Sequence, residues 1–160
     1  MLIAVFLFFF GAPLTPAQTS QEELTKLVAA YELTMPNVEA YGAVMAGIAD
    51  WAKKDPKAVK ALMDRSPKGP SSVEVSAAVF EKEPAIKALL DKHRITGKDV
   101  ILLPMVVMQA QLVALAESQG RTIPPGPYNP KNVAVAKANG PAIDAIMTKA
   151  RADQARAFPR

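Results

Sequence analysis

The chain has 160 residues, 50% of them hydrophobic and 21% charged, with a formal net charge of +4 and no cysteine. That length suits one domain of ordinary size, able to bury roughly two-thirds of its unfolded surface without covalent staples. Lacking thiols, it can hold no disulfide framework, thioether-linked haem, lipoprotein anchor or thiolate metal site. Its Lys and Arg residues are interleaved with acids, so no dense basic stripe marks a nucleic-acid partner.

Leu2 to Phe10 is an unbroken apolar run. Gly11-Ala12-Pro13-Leu14 interrupts it, and Thr15-Pro16-Ala17 sets small residues at the two positions a signal peptidase reads. Residues 1–17 therefore read as a signal peptide, although no Lys or Arg precedes the apolar run. Cleavage after Ala17 leaves 18–160 as a single all-helical domain, periplasmic or secreted. The run is about half of the roughly 20 residues that span a bilayer, so no permanent membrane anchor is expected. The competing reading, a buried N-terminal strand or helix, needs a partner surface for nine apolar residues, four of them Phe.

From there the chain reads at helical period, punctuated by Pro and Gly. Ser20-x-x-Glu23 is a capping box ahead of Leu24, Leu27, Val28 and Tyr31, which share one helix face. Thr34 opens the next helix, with Pro36 in the first turn and Val38, Tyr41, Met45, Ile48 and Ala52 inward. Asp55-Pro56 starts a third, burying Val59, Leu62 and Met63. Ser66 to Pro70 is a loop. Ser71-x-x-Glu74 caps another helix, with Val73, Ala77 and Phe80 inward, and Glu83-Pro84 opens one that buries Ile86, Leu89 and Leu90.

Thr96-x-x-Asp99 begins the most apolar helix, 97–119, expected at the centre of the bundle with Leu112 and Leu115 continuing its stripe. Pro104 is expected to kink it near Val100. A membrane-spanning reading has to accommodate Gln109 and Gln111. Gly120 to Pro130, rich in Pro and Gly, is an extended loop. Asn129-Pro130 restarts helix, and Asn139-Gly140-Pro141 reads as a C-cap followed by a new first turn. Ile143, Ile146 and Met147 carry the last stripe before a charged, Ala-rich tail. The stretch Lys54–Asp64 echoes Lys82–Asp91, which good helix-start chemistry explains without a repeat array.

Chemistry-bearing constellations are few. His93, the only histidine, lies near a helix C-terminus, where a cation is favourable. Paired with an opposing methionine, it is the one candidate cofactor-binding residue, for non-covalent haem in a helical bundle; methionine at helical spacing is ordinarily gap-filling core, the reading preferred for these. Tyr31, Tyr41 and Trp51 are candidates to line a pocket for an apolar ligand, and Ile123 to Tyr128 could dock a partner as a polyproline segment. No catalytic residue and no metal ligand set is expected: phosphate cradles, HExxH, EF-hand loops and nucleophile elbows are absent from the sequence. Glu22-Glu23 and Glu81 with Glu83 read as solvated faces.

Leu33-Thr34-Met35-x-x-Val38-x-x-Tyr41, Asp55-Pro56, and Asn129-Pro130-x-Asn132-Val133 followed by Ala138-Asn139 together resemble an uncharacterised family of small exported all-helical bacterial proteins. The resemblance runs from Leu33 to Ile146. It implies bacterial export and supplies no site residues. The expectation is an all-α single-domain bundle of about six to eight helices. It would serve as a non-enzymatic exported binding or interaction module, for which an accessory subunit of an envelope complex is one form. The alternative is a carrier of haem or a small apolar ligand, and a third reading, an enzyme, needs two acids converging in a buried cleft.

Overall fold

The computed structural model describes residues 21–67, 69, 71–121, 123 and 126–158; the signal segment 1–17 and Ser20 of the first capping box lie outside them. The described residues form seven α-helices and no strand: α1 (Gln21–Ala30), α2 (Met35–Lys54), α3 (Pro56–Arg65), α4 (Val73–Glu81), α5 (Pro84–His93), α6 (Gly97–Ser118) and α7 (Pro130–Ala157). The fold is an all-α helical bundle.

Short polar side chains start most of these helices by satisfying amides that have no partner within the helix. Thr34 Oγ1 accepts from Asn37 N (3.3 Å), Asp55 Oδ1 from Ala58 N (3.0 Å) and Asn129 Oδ1 from Lys131 N (3.0 Å). Each is followed within two residues by a proline, which loses nothing in a first turn. At α6 the box is reciprocal: Thr96 Oγ1 accepts from Asp99 N while Asp99 Oδ2 accepts from Thr96 N. The cap of α4 is one residue later than the sequence pattern implied. Ser72, not Ser71, accepts from Val75 N, and the Ser71 hydroxyl is bonded to that of Ser76.

Helix ends follow the same accounting. After α5, Arg94 N donates to Asp91 O and Ile95 N to Leu90 O, with Arg94 in the left-handed region at φ 57. This is the closing turn that usually carries glycine, and Gly120 occupies the equivalent place after α6 at φ +66. Burial of Leu90 and Ile95 holds the α5 turn closed despite the arginine.

The most extensive helix pair is α2 with α7, and α6 packs on α7 and α4. Gly42 lets α7 approach: a Cβ there would stand 2.7 Å from Ile146 Cγ2. Gly97 does the same for α6 on α4, where a Cβ would meet Ala77 O at 2.6 Å and the Gly97 amide donates to Glu81 Oε1. Val38, Val44, Ile48, Ile86, Leu103, Val106 and Ile143 form the fully enclosed centre.

Buried Asn132 ties the two ends of the bundle together. Its Oδ1 accepts from Leu33 N (2.8 Å) and its Nδ2 donates to Tyr31 O (2.8 Å), so the α1–α2 connection is sewn to the first turn of α7. Tyr31 Oη also donates to Asp99 Oδ1 at 2.9 Å, joining α1 to α6; burial first, and then that bond to a carboxylate, pushes the phenol well above its ordinary range.

Several expectations need correction. Met63 is 46% exposed, and Leu112 and Leu115 are 58% and 54% exposed, so the stripe of α6 leaves the core in its second half. α6 is long and apolar enough to cross a membrane, yet its first half is packed inside the bundle. It continues as one helix through Pro104. The expected break at Asn139-Gly140-Pro141 is present: Asn139 leaves helical dihedrals (φ −128, ψ 16), its Nδ2 donates to Val135 O, and α7 is two helical stretches joined across that kink. Glu83 is ion-paired with Arg65 at 2.7 Å and is not a free solvated acid.

Two substitutions test this account by urea denaturation. Asn132→Ala strands the buried Leu33 amide and leaves the Tyr31 carbonyl only its 3.3 Å bond from Asn129 Nδ2, and should cost about 2 kcal/mol. Arg94→Gly relieves a left-handed side chain and should stabilise by about 1 kcal/mol.

Candidate functional site

Two adjoining clefts lie where the C-terminal half of α7 passes α2, α3, α4 and α6. The outer one, about 400 Å³, is bounded by Leu62, Met63 and Ser66 of the α3 end and by Ser71, Ser76 and Val79 around α4. The inner one, about 280 Å³, is bounded by Tyr41, Met45, Val100, Ile101, Pro104, Met105, Met147 and Arg151. Phe80, Gln154 and Phe158 line both, so the two spaces share one wall.

Helical spacing builds this site. Met147, Arg151, Gln154 and Phe158 recur at steps of four, three and four and form one stripe of α7. Tyr41 and Met45 are one turn apart on α2, as are Ile101 and Met105 on α6. The floor of the inner cleft is enclosed: Tyr41, Met45 and Met147 are 3–4% exposed. Arg151 is exposed and stands at the rim. Three thioethers from three helices thus converge on one space, giving it a soft, adaptable apolar lining.

Tyr41 and Arg151, with Gln154, interrupt that lining. The Tyr41 hydroxyl has no hydrogen-bond partner among the described residues. No enclosed side-chain oxygen or nitrogen is left unpaired among them, so this hydroxyl keeps its open surface on the cleft. Burial pushes the Tyr41 phenol up from its ordinary value, and the nearby positive charge of Arg151 offsets part of that rise. Tyr41 therefore stays protonated at physiological pH and can donate. Arg151 itself has no ion-pair partner among the described residues. The acid nearest to it in sequence, Asp153, is wholly buried and already held by Lys149 (2.8 Å) and by Arg156.

The residues singled out from sequence fall in different places. Tyr41 lines the inner cleft; Tyr31 and Trp51 pack against the core. His93 ends α5, half-buried, and lines neither cleft, so the structure gathers Met45, Met105 and Met147 without it. Of the loop from Ile123 to Tyr128, Pro124 and Pro125 lie outside the described residues, while Pro127 O accepts from Gln109 Nε2 at 3.3 Å. Among the described residues no three His, Cys, Asp or Glu side chains group as a metal site would need. Arg151, Gln154 and Phe158 were missed because the C-terminal segment reads as a charged, Ala-rich tail; their spacing with Met147 was the available signal. Comparison of the chain with protein-family models, curated proteins and solved structures finds no match, so the site is read from its own chemistry.

Asp153 supplies a pH test. The Lys149 hydrogen bond, ahead of the Arg156 one, holds its carboxyl below the usual value of 3.8. A depressed folded value means that its stabilisation is complete above the unfolded value and disappears as pH falls through the folded one. Asp153→Asn should cost about 2 kcal/mol at pH 7, with the gap between variant and parent closing in denaturation curves taken below pH 3.8.

Proposed function

We propose that the chain is a non-enzymatic exported binding protein that holds a small apolar ligand in the inner cleft. The observation that carries this reading is the convergence of Met45, Met105 and Met147 with Tyr41 on one partly enclosed space of about 280 Å³. An apolar cavity of about 150 Å³ accepts benzene, so on the same scale this one takes roughly ten non-hydrogen atoms. Binding sites for small molecules are typically concave and mainly apolar, with a few placed polar groups. The reading takes its site from this cleft and gives His93 no part in it.

Export belongs to the same proposal and rests on residues 1–17. An apolar run, a helix-breaking segment and the Thr15-Pro16-Ala17 site support removal of that segment and a working place in the periplasm or outside the cell. The absence of cysteine is compatible with either redox compartment.

The binding reading is tested with a naphthylamine dye whose fluorescence rises in apolar surroundings. The full chain should enhance it with one saturable site, and Met105→Trp, which fills the rim of the cleft, should abolish the enhancement while leaving the fold intact by circular dichroism. Dye binding untouched by Met105→Trp would overturn the reading. Export is tested separately by the intact mass of the protein recovered from its own cell envelope, expected to begin at Gln18; a mass that retains residues 1–17 would remove the exported location.

A further inference from the structure

The inner cleft is not uniformly apolar, and the distribution of its polar atoms carries information about the occupant. Most of its lining is thioether, aliphatic and phenyl side chains. Two of its three polar groups are the Tyr41 hydroxyl, open to the cleft and without a hydrogen-bond partner among the described residues, and Arg151, without a counter-ion among them. Both are donors: a neutral phenol offers its O–H, and a guanidinium offers only N–H groups in a planar fork. Gln154 completes the rim and can present its amide N–H. No carboxylate lines the inner cleft. Asp153, two residues from Arg151, is committed to Lys149 and Arg156. Among the described residues the site thus offers donors and one positive charge, with no anion to answer them.

Resting on the binding reading above, we propose that the ligand is a small amphipathic carboxylate. Its tail lies among Met45, Met105 and Met147, and its head group accepts hydrogen bonds from the Arg151 guanidinium and the Tyr41 hydroxyl. A planar guanidinium matches the two oxygens of a carboxylate, and the Tyr41 hydroxyl gains the partner it lacks. The volume fits an acid of about eight carbons, by the scale that relates cavity size to benzene. A longer chain passes the shared wall of Phe80 and Phe158 into the outer cleft, where Ser66, Ser71, Ser76 and Gln154 are the polar residues. A neutral alcohol of equal length keeps the apolar contacts and loses the charge-assisted bonds. An amine of equal length places a cation against Arg151.

The test uses the full chain with methionine methyls labelled for NMR, titrated with octanoate, octanol and octylamine. Octanoate should shift the Met45, Met105 and Met147 resonances and bind at least about tenfold tighter than octanol, the effect of one charge-assisted hydrogen bond. Octylamine should bind more weakly than octanol. Arg151→Gln, at an exposed position, should bring octanoate and octanol to within about threefold without weakening octanol, on the same reasoning. Tyr41→Phe should weaken octanoate alone. Equal binding of octanoate and octanol by the parent chain would overturn the carboxylate assignment and leave the apolar-ligand reading standing. No shift of the three methionine methyls with any of the three compounds would overturn both.

Discussion

The packing of α2 against α7 is the constraint on which the rest of the bundle depends. These are the two of the three longest helices that bury most against each other, and they can do so because residue 42 has no side chain to hold them apart. Gly47, one turn and a half further along α2, repeats the device toward α5, where a Cβ would stand 2.6 Å from Leu89 Cδ2. α2 thereby carries partners on more than one face, and its own apolar residues are used up as core. In a chain with no cysteine to staple it, such close backbone approach is the available source of cohesion.

Close approach at the middle of α2 leaves space at its flank. Tyr41 and Met45 face α6 and α7 across a gap that Ile101, Pro104, Met105 and Met147 border without filling. A core at native density tolerates few voids of this size, which is why the gap reads as a site and not as a packing fault. The ion pairs nearby have a bearing on it. Asp153 occupies a position on the inward stripe of α7, after Met147 and Ala150, where an apolar residue would be expected. By holding Lys149 and Arg156 it satisfies its own buried charge and leaves Arg151, on the adjoining face, as the unpaired cation of the rim.

Much of the architecture was legible because it is local. Thr34, Asp55, Thr96 and Asn129 announce helix starts through the same short-range bonds that the structure contains, and the 3.6 period named Val38, Tyr41, Met45, Ile48 and Ala52 as inward. What was not legible depends on neighbours distant in sequence. Leu112 and Leu115 continue a sound apolar stripe, but they lie on a part of the α6 surface that no described residue covers, so they are exposed. Met63 has the right spacing for burial and instead borders the outer cleft. Asn132 looks like one more residue in a capping turn; only the position of Leu33 and Tyr31 shows it to be the polar clamp of the bundle. The cleft is illegible for the same reason, since it is the shape left between four helices, and periodicity names the lining of each helix without saying that the linings face one another.

The Asn132 clamp joins residues 99 and 101 positions apart in the chain. During synthesis the ribosome therefore releases α1 through α6 before the segment that locks them exists, and contacts of such long separation close late. Until roughly the last fifth of the chain emerges, a nascent chain therefore lacks both its most extensive helix pair and its polar clamp.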